Sequence, residues 1–92
     1  MQVVKIPFHL IHVNSGRSGL EIIFPHNRKW YRLEWSKTPE KFKILYVAML
    51  KLQGIEIPEH LKQYERNTID LSEIEIEIDL NECEEIPEAY PL

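Results

Sequence analysis

The chain has one cysteine, three glycines and no lysine or arginine after Arg66. A lone cysteine, Cys83, cannot form an internal disulfide, which favours a reducing compartment. No run of about 18 apolar residues is present, and the amino terminus lacks a basic leader followed by a long hydrophobic stretch. We therefore expect a soluble cytoplasmic protein without a membrane span or a signal peptide. Low glycine content argues against a disordered chain.

Length and composition indicate one small globular domain. The 92 residues are 43% hydrophobic, which suffices for a modest core. We predict a single α+β domain over residues 1–80 and an acidic, flexible tail over residues 81–92, where two prolines and several glutamates follow one another.

Charge is distributed unevenly along the chain. Residues 1–66 carry 11 basic and six acidic side chains, a net charge of +5, whereas residues 67–92 carry nine acidic side chains and no basic one, which together give the net −4 of the whole chain. An acidic segment of this kind points to a surface that interacts with other molecules rather than to a reaction.

The first third of the chain has the pattern of strands and turns. Residues 3–13 predict a first strand, which Pro7 places at an edge or a bulge. The glycine-containing segment 14–19 predicts a turn, residues 20–24 a second strand, residues 25–28 another turn and residues 30–35 a third strand. Together these segments predict an antiparallel meander.

The period changes after Ser36. Apolar residues recur at helical spacing from Phe42 to Leu52, with Thr38 predicted as the N-cap, Pro39 as the first helical residue and Gly54 as the stop. Residues 58–66 predict a shorter second helix and residues 69–80 a last strand. The order β-β-β-α-α-β predicts a small, mostly antiparallel sheet that a helix covers on one face.

Residues 71–80 alternate apolar and acidic side chains with period two, as a strand with one apolar and one anionic face does. This strand could join the sheet beside Arg28, Lys29 and Arg32 and pair with their cations. At an open edge, its carboxylates would form a line with a spacing of about 6.6 Å, comparable to that of phosphates along a nucleic-acid strand. The strand could also add itself to a partner's sheet, with Ile74, Ile76 and Ile78 filling pockets. The predicted partner-binding residues are Glu73, Glu75, Glu77 and Asp79.

We therefore predict a small, non-enzymatic protein-binding or regulatory protein that acts through its acidic strand and tail on a partner with a basic surface, with inhibition and nucleic-acid mimicry among its candidate roles. The alternative is a nucleic-acid-binding module that uses the strand at residues 28–35, because interleaved cations and aromatic rings bind phosphates and bases. Its candidate residues are Arg28, Lys29, Trp30 and Arg32.

Motifs of catalysis and cofactor binding are not found in the sequence. His9 and His12 would lie on opposite faces of a strand, which makes them a poor metal pair. Acidic neighbours are expected to raise the pKa of Cys83 and to suppress its thiolate. The segment 16–19 lacks the strand-loop-helix setting of a phosphate-binding loop. We accordingly predict no catalytic residue, no metal and no cofactor, and we leave the oligomeric state open.

Overall fold

The computed structural model describes residues 2–16, 19–69 and 74–87. Within these ranges the chain forms six strands in two antiparallel sheets and one main α-helix. The predicted α+β class is confirmed. The strands, however, are divided between two sheets rather than gathered in one.

The larger sheet contains the predicted meander. It has the order β2-β3-β4-β6, with the strands β2 (His12–Gly16), β3 (Gly19–His26), β4 (Lys29–Glu34) and β6 (Glu84–Ile86). Asn27 and Arg28 both have positive φ, 51° and 66°, in the two-residue turn between β3 and β4. Such a turn has the twist that joins antiparallel strands, and asparagine tolerates this conformation well.

The smaller sheet pairs the two ends of the chain. β1 (Val3–Pro7) lies antiparallel to β5 (Glu75–Asp79). The prediction of one continuous strand over residues 3–13 is wrong, because the chain turns through a 3-10 helix at Phe8–Leu10 and only then enters β2. The N–H that Pro7 lacks would face away from β5, so proline is tolerated at the end of this strand. The predicted edge position of the Pro7 strand is confirmed.

Helix α1 (Glu40–Leu52) is the predicted helix, and it contributes buried residues to both of the apolar clusters described below. Thr38 does not cap it as predicted, because its hydroxyl donates to the Glu34 carbonyl at 2.9 Å. The chain leaves the helix through Gly54, whose φ of 75° suits glycine. The predicted second helix is a 3-10 helix at Glu59–Tyr64.

Two apolar clusters hold the elements together. Phe42 of α1 packs in the larger cluster with buried residues of both sheets, and Val47 and Leu50 of α1 pack in the smaller one. The larger cluster therefore joins the β1–β5 pair to the four-stranded sheet. Its buried members are Ile6, Ile11, Ile22, Phe24, Leu33, Phe42, Leu45, Ile76, Ile78 and Leu80.

The region predicted as an acidic tail is part of the fold over at least three residues. After a 3-10 turn at Leu80–Glu82, β6 (Glu84–Ile86) pairs antiparallel with β4, so that Glu84 lies opposite Arg32. Residues 84–86 of the predicted tail thus belong to the four-stranded sheet. Opposite charges across the ladder explain why so acidic a segment is held at this edge. Residues 88–92 of the predicted tail lie outside the described residues.

Of the helices in the described ranges, none combines the length and the apolarity that crossing a bilayer would require.

Candidate functional site

Strand β5 has the alternation that the sequence predicts. Glu75 and Glu77 are exposed, whereas Ile76 and Ile78 are 0% and 1% exposed in the core. The hypothesis that these isoleucines fill pockets of a partner is therefore wrong, since removing them from the core would expose apolar surface to water. Ile74, just before the strand, is exposed. Glu73 lies outside the described residues.

Asp79, the last residue of the predicted acidic line, has a local role. Its Oδ1 accepts hydrogen bonds from the backbone N–H groups of Asn81 at 3.0 Å and Gln2 at 3.3 Å. The first bond caps the 3-10 turn at Leu80–Glu82, and the second ties that turn to the start of the chain. Of the predicted acidic residues that the structure describes, only Glu75 and Glu77 are thus exposed and without a hydrogen bond to a described residue.

The hydrogen-bond pattern determines which backbone groups of β5 point away from β1. Phe8 N donates to Ile74 O and Leu80 N to Gln2 O, both at 2.8 Å. In an antiparallel ladder, alternate residues point their N–H and C=O groups toward the partner strand. The groups of Glu75 and Glu77 therefore point to the other edge, with which no strand of the described ranges pairs.

The two edges of the β1–β5 pair differ in their hydrogen-bonding capacity. The same phase places Lys5 and Pro7 at the outer edge of β1, where proline lacks a donor. Glu75 and Glu77 each offer a donor and an acceptor at the outer edge of β5. The β5 edge is thus the better template for another strand.

Glu75 and Glu77 also differ from Glu82, Glu84 and Glu85 in having no ion pair in the part of the chain that the structure describes. Lys5 is the cross-strand neighbour of Glu77, but no salt bridge joins them. In contrast, Glu82 pairs with Lys37 at 3.7 Å and Glu85 with Lys29 at 3.4 Å. The negative charges of Glu75 and Glu77 are therefore less compensated by nearby cations than those of Glu82 and Glu85.

The predicted nucleic-acid-binding residues of β4 are largely occupied by β6. Lys29 pairs with Glu85, and Arg32 binds both Glu84 and Glu21. The hydrogen bond to Glu84, followed by that to Glu21, raises the pKa of Arg32 further above its already high ordinary value. Trp30 is half-buried and lies opposite Ile86 of β6. Arg28, in the turn, is exposed and has no ion pair within the described ranges.

Two buried charges were not identified from the sequence. Glu21 is 5% exposed and accepts hydrogen bonds from Arg32 and from Asn14, each at 3.0 Å. A Cβ at Gly16 would overlap Glu21 Oε1, so a larger residue there would displace this carboxylate from its position. Lys43 is 8% exposed on the apolar side of α1. A lysine directly after Phe42 within the helical apolar pattern was the available signal.

The surroundings of Cys83 and the distribution of metal-ligating side chains bear on the chemistry that the described residues can perform. Cys83 is half-buried, and burial, followed by the charges of Asp79 and Glu82, raises its pKa to about 11. Such a thiol is a poor nucleophile near neutral pH. No group of three metal-ligating side chains occurs within residues 2–16, 19–69 and 74–87.

Comparison of the chain with protein-family models, with curated proteins and with solved structures finds no match.

Proposed function

We propose that this chain is a non-enzymatic regulatory protein that binds another protein along the outer edge of β5. The observation that carries the proposal is the coincidence of two features at Glu75 and Glu77. Their carboxylates are exposed without an ion pair, and their backbone groups face an edge without a strand partner in the described part of the chain. One extended basic segment could pair with the carboxylates and form hydrogen bonds with the backbone groups.

The expected partner is an extended basic segment of another protein. Strand addition would supply backbone hydrogen bonds at Glu75 and Glu77, while lysines or arginines of the partner would face the two carboxylates. Cross-strand pairs of opposite charge contribute about 0.2–1 kcal/mol each. A second copy of the chain is a poor occupant of this edge, because pairing β5 with itself would bring like charges together.

Edge strands of monomeric proteins also carry charges that prevent aggregation. In that case Glu75 and Glu77 would keep other strands away and would bind nothing. The two roles differ in their requirement for the backbone: a binding edge needs its outward N–H groups, whereas a protecting edge does not.

The experiment compares proline variants at the two outer edges. Glu77→Pro removes an outward N–H of β5, and Lys5→Pro removes an outward N–H of β1, so neither variant loses a hydrogen bond between the two strands. Proteins captured from native extract by the immobilised wild type would be purified, and their dissociation constants for all variants measured by calorimetry. We expect Glu77→Pro to weaken binding at least tenfold and Lys5→Pro to leave it unchanged.

Charge is tested separately with Glu75→Gln/Glu77→Gln. Its control is Glu34→Gln/Glu56→Gln, which removes the same charge from two other exposed positions. The first variant should bind more weakly with a reduced dependence on salt, and the control should bind as the wild type does. Equal binding by Glu77→Pro and the wild type would contradict strand addition at β5.

Nucleic-acid mimicry has weaker support than strand addition. A mimic needs a line of free carboxylates, whereas Asp79 is engaged by two backbone N–H groups. Direct nucleic-acid binding is also less favoured, because Lys29 and Arg32 already pair with acids of the same chain. A nucleic-acid column distinguishes these hypotheses: retention that falls steeply with salt and is lost in Arg28→Glu would favour direct binding.

A further inference from the structure

We propose that a cavity between the four-stranded sheet and α1 binds a small organic oxyanion, with Lys43 as the residue that binds its carboxylate or phosphate. The cavity has a volume of about 550 Å³, which is within the range of small-molecule sites. It is lined by residues of β3, β4, the 3-10 helix at Trp35–Lys37, α1 and the 3-10 helix at Glu59–Tyr64, and none of these lining residues lies in β5.

Lys43 is the feature that points to an anionic ligand. Its ammonium lies 5.3 Å from the centre of the Trp35 ring and 5.4 Å from that of Tyr64. The two rings attract the cation and hold the side chain in place. No carboxylate pairs with it in the described part of the chain, although the residue is more than nine-tenths buried.

The ammonium of Lys43 still has unused hydrogen-bonding capacity. It carries three donors, and aromatic faces do not replace an oxygen acceptor. The described residues contain no fully buried side-chain nitrogen or oxygen without a hydrogen-bond partner. Because Lys43 has no such partner, its ammonium must reach solvent, and Lys43 and the two rings beside its ammonium all line this cavity. An oxyanion there would meet a cation that is already oriented and partly desolvated.

The other charges of the cavity favour a ligand with a single anionic group. Glu21 is neutralised by Arg32 at 3.0 Å and does not compete for Lys43 through a salt bridge. Glu34, which also lines the cavity, is exposed and would disfavour a second anionic group on the ligand. Trp35 and Tyr64 offer apolar surface beside the cation. The class of ligand is therefore a carboxylate or a phosphate monoester that is attached to a flat apolar group.

A lysine between two rings could also be purely structural, and in that case it would need no ligand. The experiment therefore titrates the wild type with benzoate, phenyl phosphate and uncharged benzamide, and follows backbone and lysine side-chain resonances by NMR. Lys43→Met removes the charge at nearly constant length, and Lys43→Arg retains it. The matched control is Lys51→Met, an exposed lysine of the same helix that does not line the cavity.

We expect saturable shifts in the cavity residues and in the Lys43 ammonium with benzoate or phenyl phosphate, at least tenfold weaker binding by Lys43→Met, and wild-type binding by Lys51→Met. Preference for one anion would identify the carboxylate or the phosphate class. Absence of saturable binding by both anions, equal binding of benzamide, or unchanged binding by Lys43→Met would overturn the proposal. If Lys43→Met does not fold, the ammonium resonances of Lys43 and Lys51 in the wild type test the proposal, because only the Lys43 resonance should shift on binding.

Discussion

β5 and β6 come from the same acidic part of the chain, but the fold uses their charges in opposite ways. In β5, the Glu75 and Glu77 carboxylates face solvent without an ion pair in the described ranges, and the strand is held by the buried Ile76 and Ile78. β6 has no fully buried residue, and both of its glutamates pair with cations of β4. The first strand is fixed by apolar burial and the second largely by its cross-strand neighbours.

This comparison indicates that the number of acids in a segment does not determine how much free negative charge it presents. The position of a strand in a sheet decides whether its acids come within salt-bridge distance of a cation: Glu84 and Glu85 do, whereas Glu77 does not, although Lys5 lies opposite it. The net charge of the carboxyl-terminal part therefore overstates its available anionic surface, since Glu82, Glu84 and Glu85 are already paired. The candidate binding surface is reduced to the edge at Glu75 and Glu77.

The largest effect is expected from truncating the apolar face of β5. Ile76→Ala should lower the free energy of unfolding by about 3 kcal/mol, because it removes a fully buried side chain and leaves a cavity. Ile86→Ala in β6 should cost about 1 kcal/mol or less, since Ile86 is only half-buried. Urea denaturation of both variants measures the difference. Equal losses would show that the two strands are not held in different ways.

A smaller effect is expected from the charges that hold β6. Arg32→Met should lower the free energy of unfolding by about 2 kcal/mol, because Glu21 stays buried with Asn14 as its remaining hydrogen-bond partner. Arg28→Met is the matched control and should change stability by less than about 0.5 kcal/mol, since Arg28 is exposed and unpaired in the described part of the chain. Comparable losses in the two variants, measured by urea denaturation, would contradict a specific role for the Arg32 pairs.

The smallest effect is expected from Cys83, in the connection between β5 and β6. Its pKa is about 11 in the fold and 9.0 ordinarily, so the unfolded chain loses the thiol proton first as pH rises. The contribution of this thiol to the free energy of unfolding is therefore fully present below pH 9 and is lost as pH approaches 11. Thiolate absorbance should therefore rise near pH 11 in the native protein and near pH 9 in urea.

Cys83→Ser is the control for the alkaline loss of stability. It should remove the part of that loss which depends on the thiol and leave the remainder of the pH profile unchanged. A native thiolate midpoint equal to the one in urea would mean that the connection does not shield Cys83.

Several elements of the fold followed from local patterns. Helical spacing from Phe42 to Leu52 predicted α1, and the glycine-containing segment 14–19 predicted the hairpin of β2 and β3. Alternation predicted the buried and exposed faces of β5. These features depend on neighbours in sequence, and periodicity therefore records them.

The pairing of strands could not be predicted in the same way. The local pattern of residues 3–13 predicts one strand, because it contains no information that β1 pairs with β5 and β2 with β3. The segment of β6 has the pattern of an acidic tail, because the cations that pair with its glutamates lie some 50 residues earlier in the chain, in β4. The cavity at Lys43 is lined by residues of five elements between Gly19 and Tyr64, so no local pattern could predict it.

The sequence by itself determined the α+β class, the main helix, the hairpin and the amphipathic character of β5, because each depends on the short-range periodicity of apolar residues. Only the tertiary structure decided that two sheets form, that Glu84 and Glu85 are neutralised while Glu75 and Glu77 are not, and that Lys43 lies between two aromatic rings. Burial and ion pairing depend on which residues of distant segments come within a few ångströms of each other, and that depends on long-range packing.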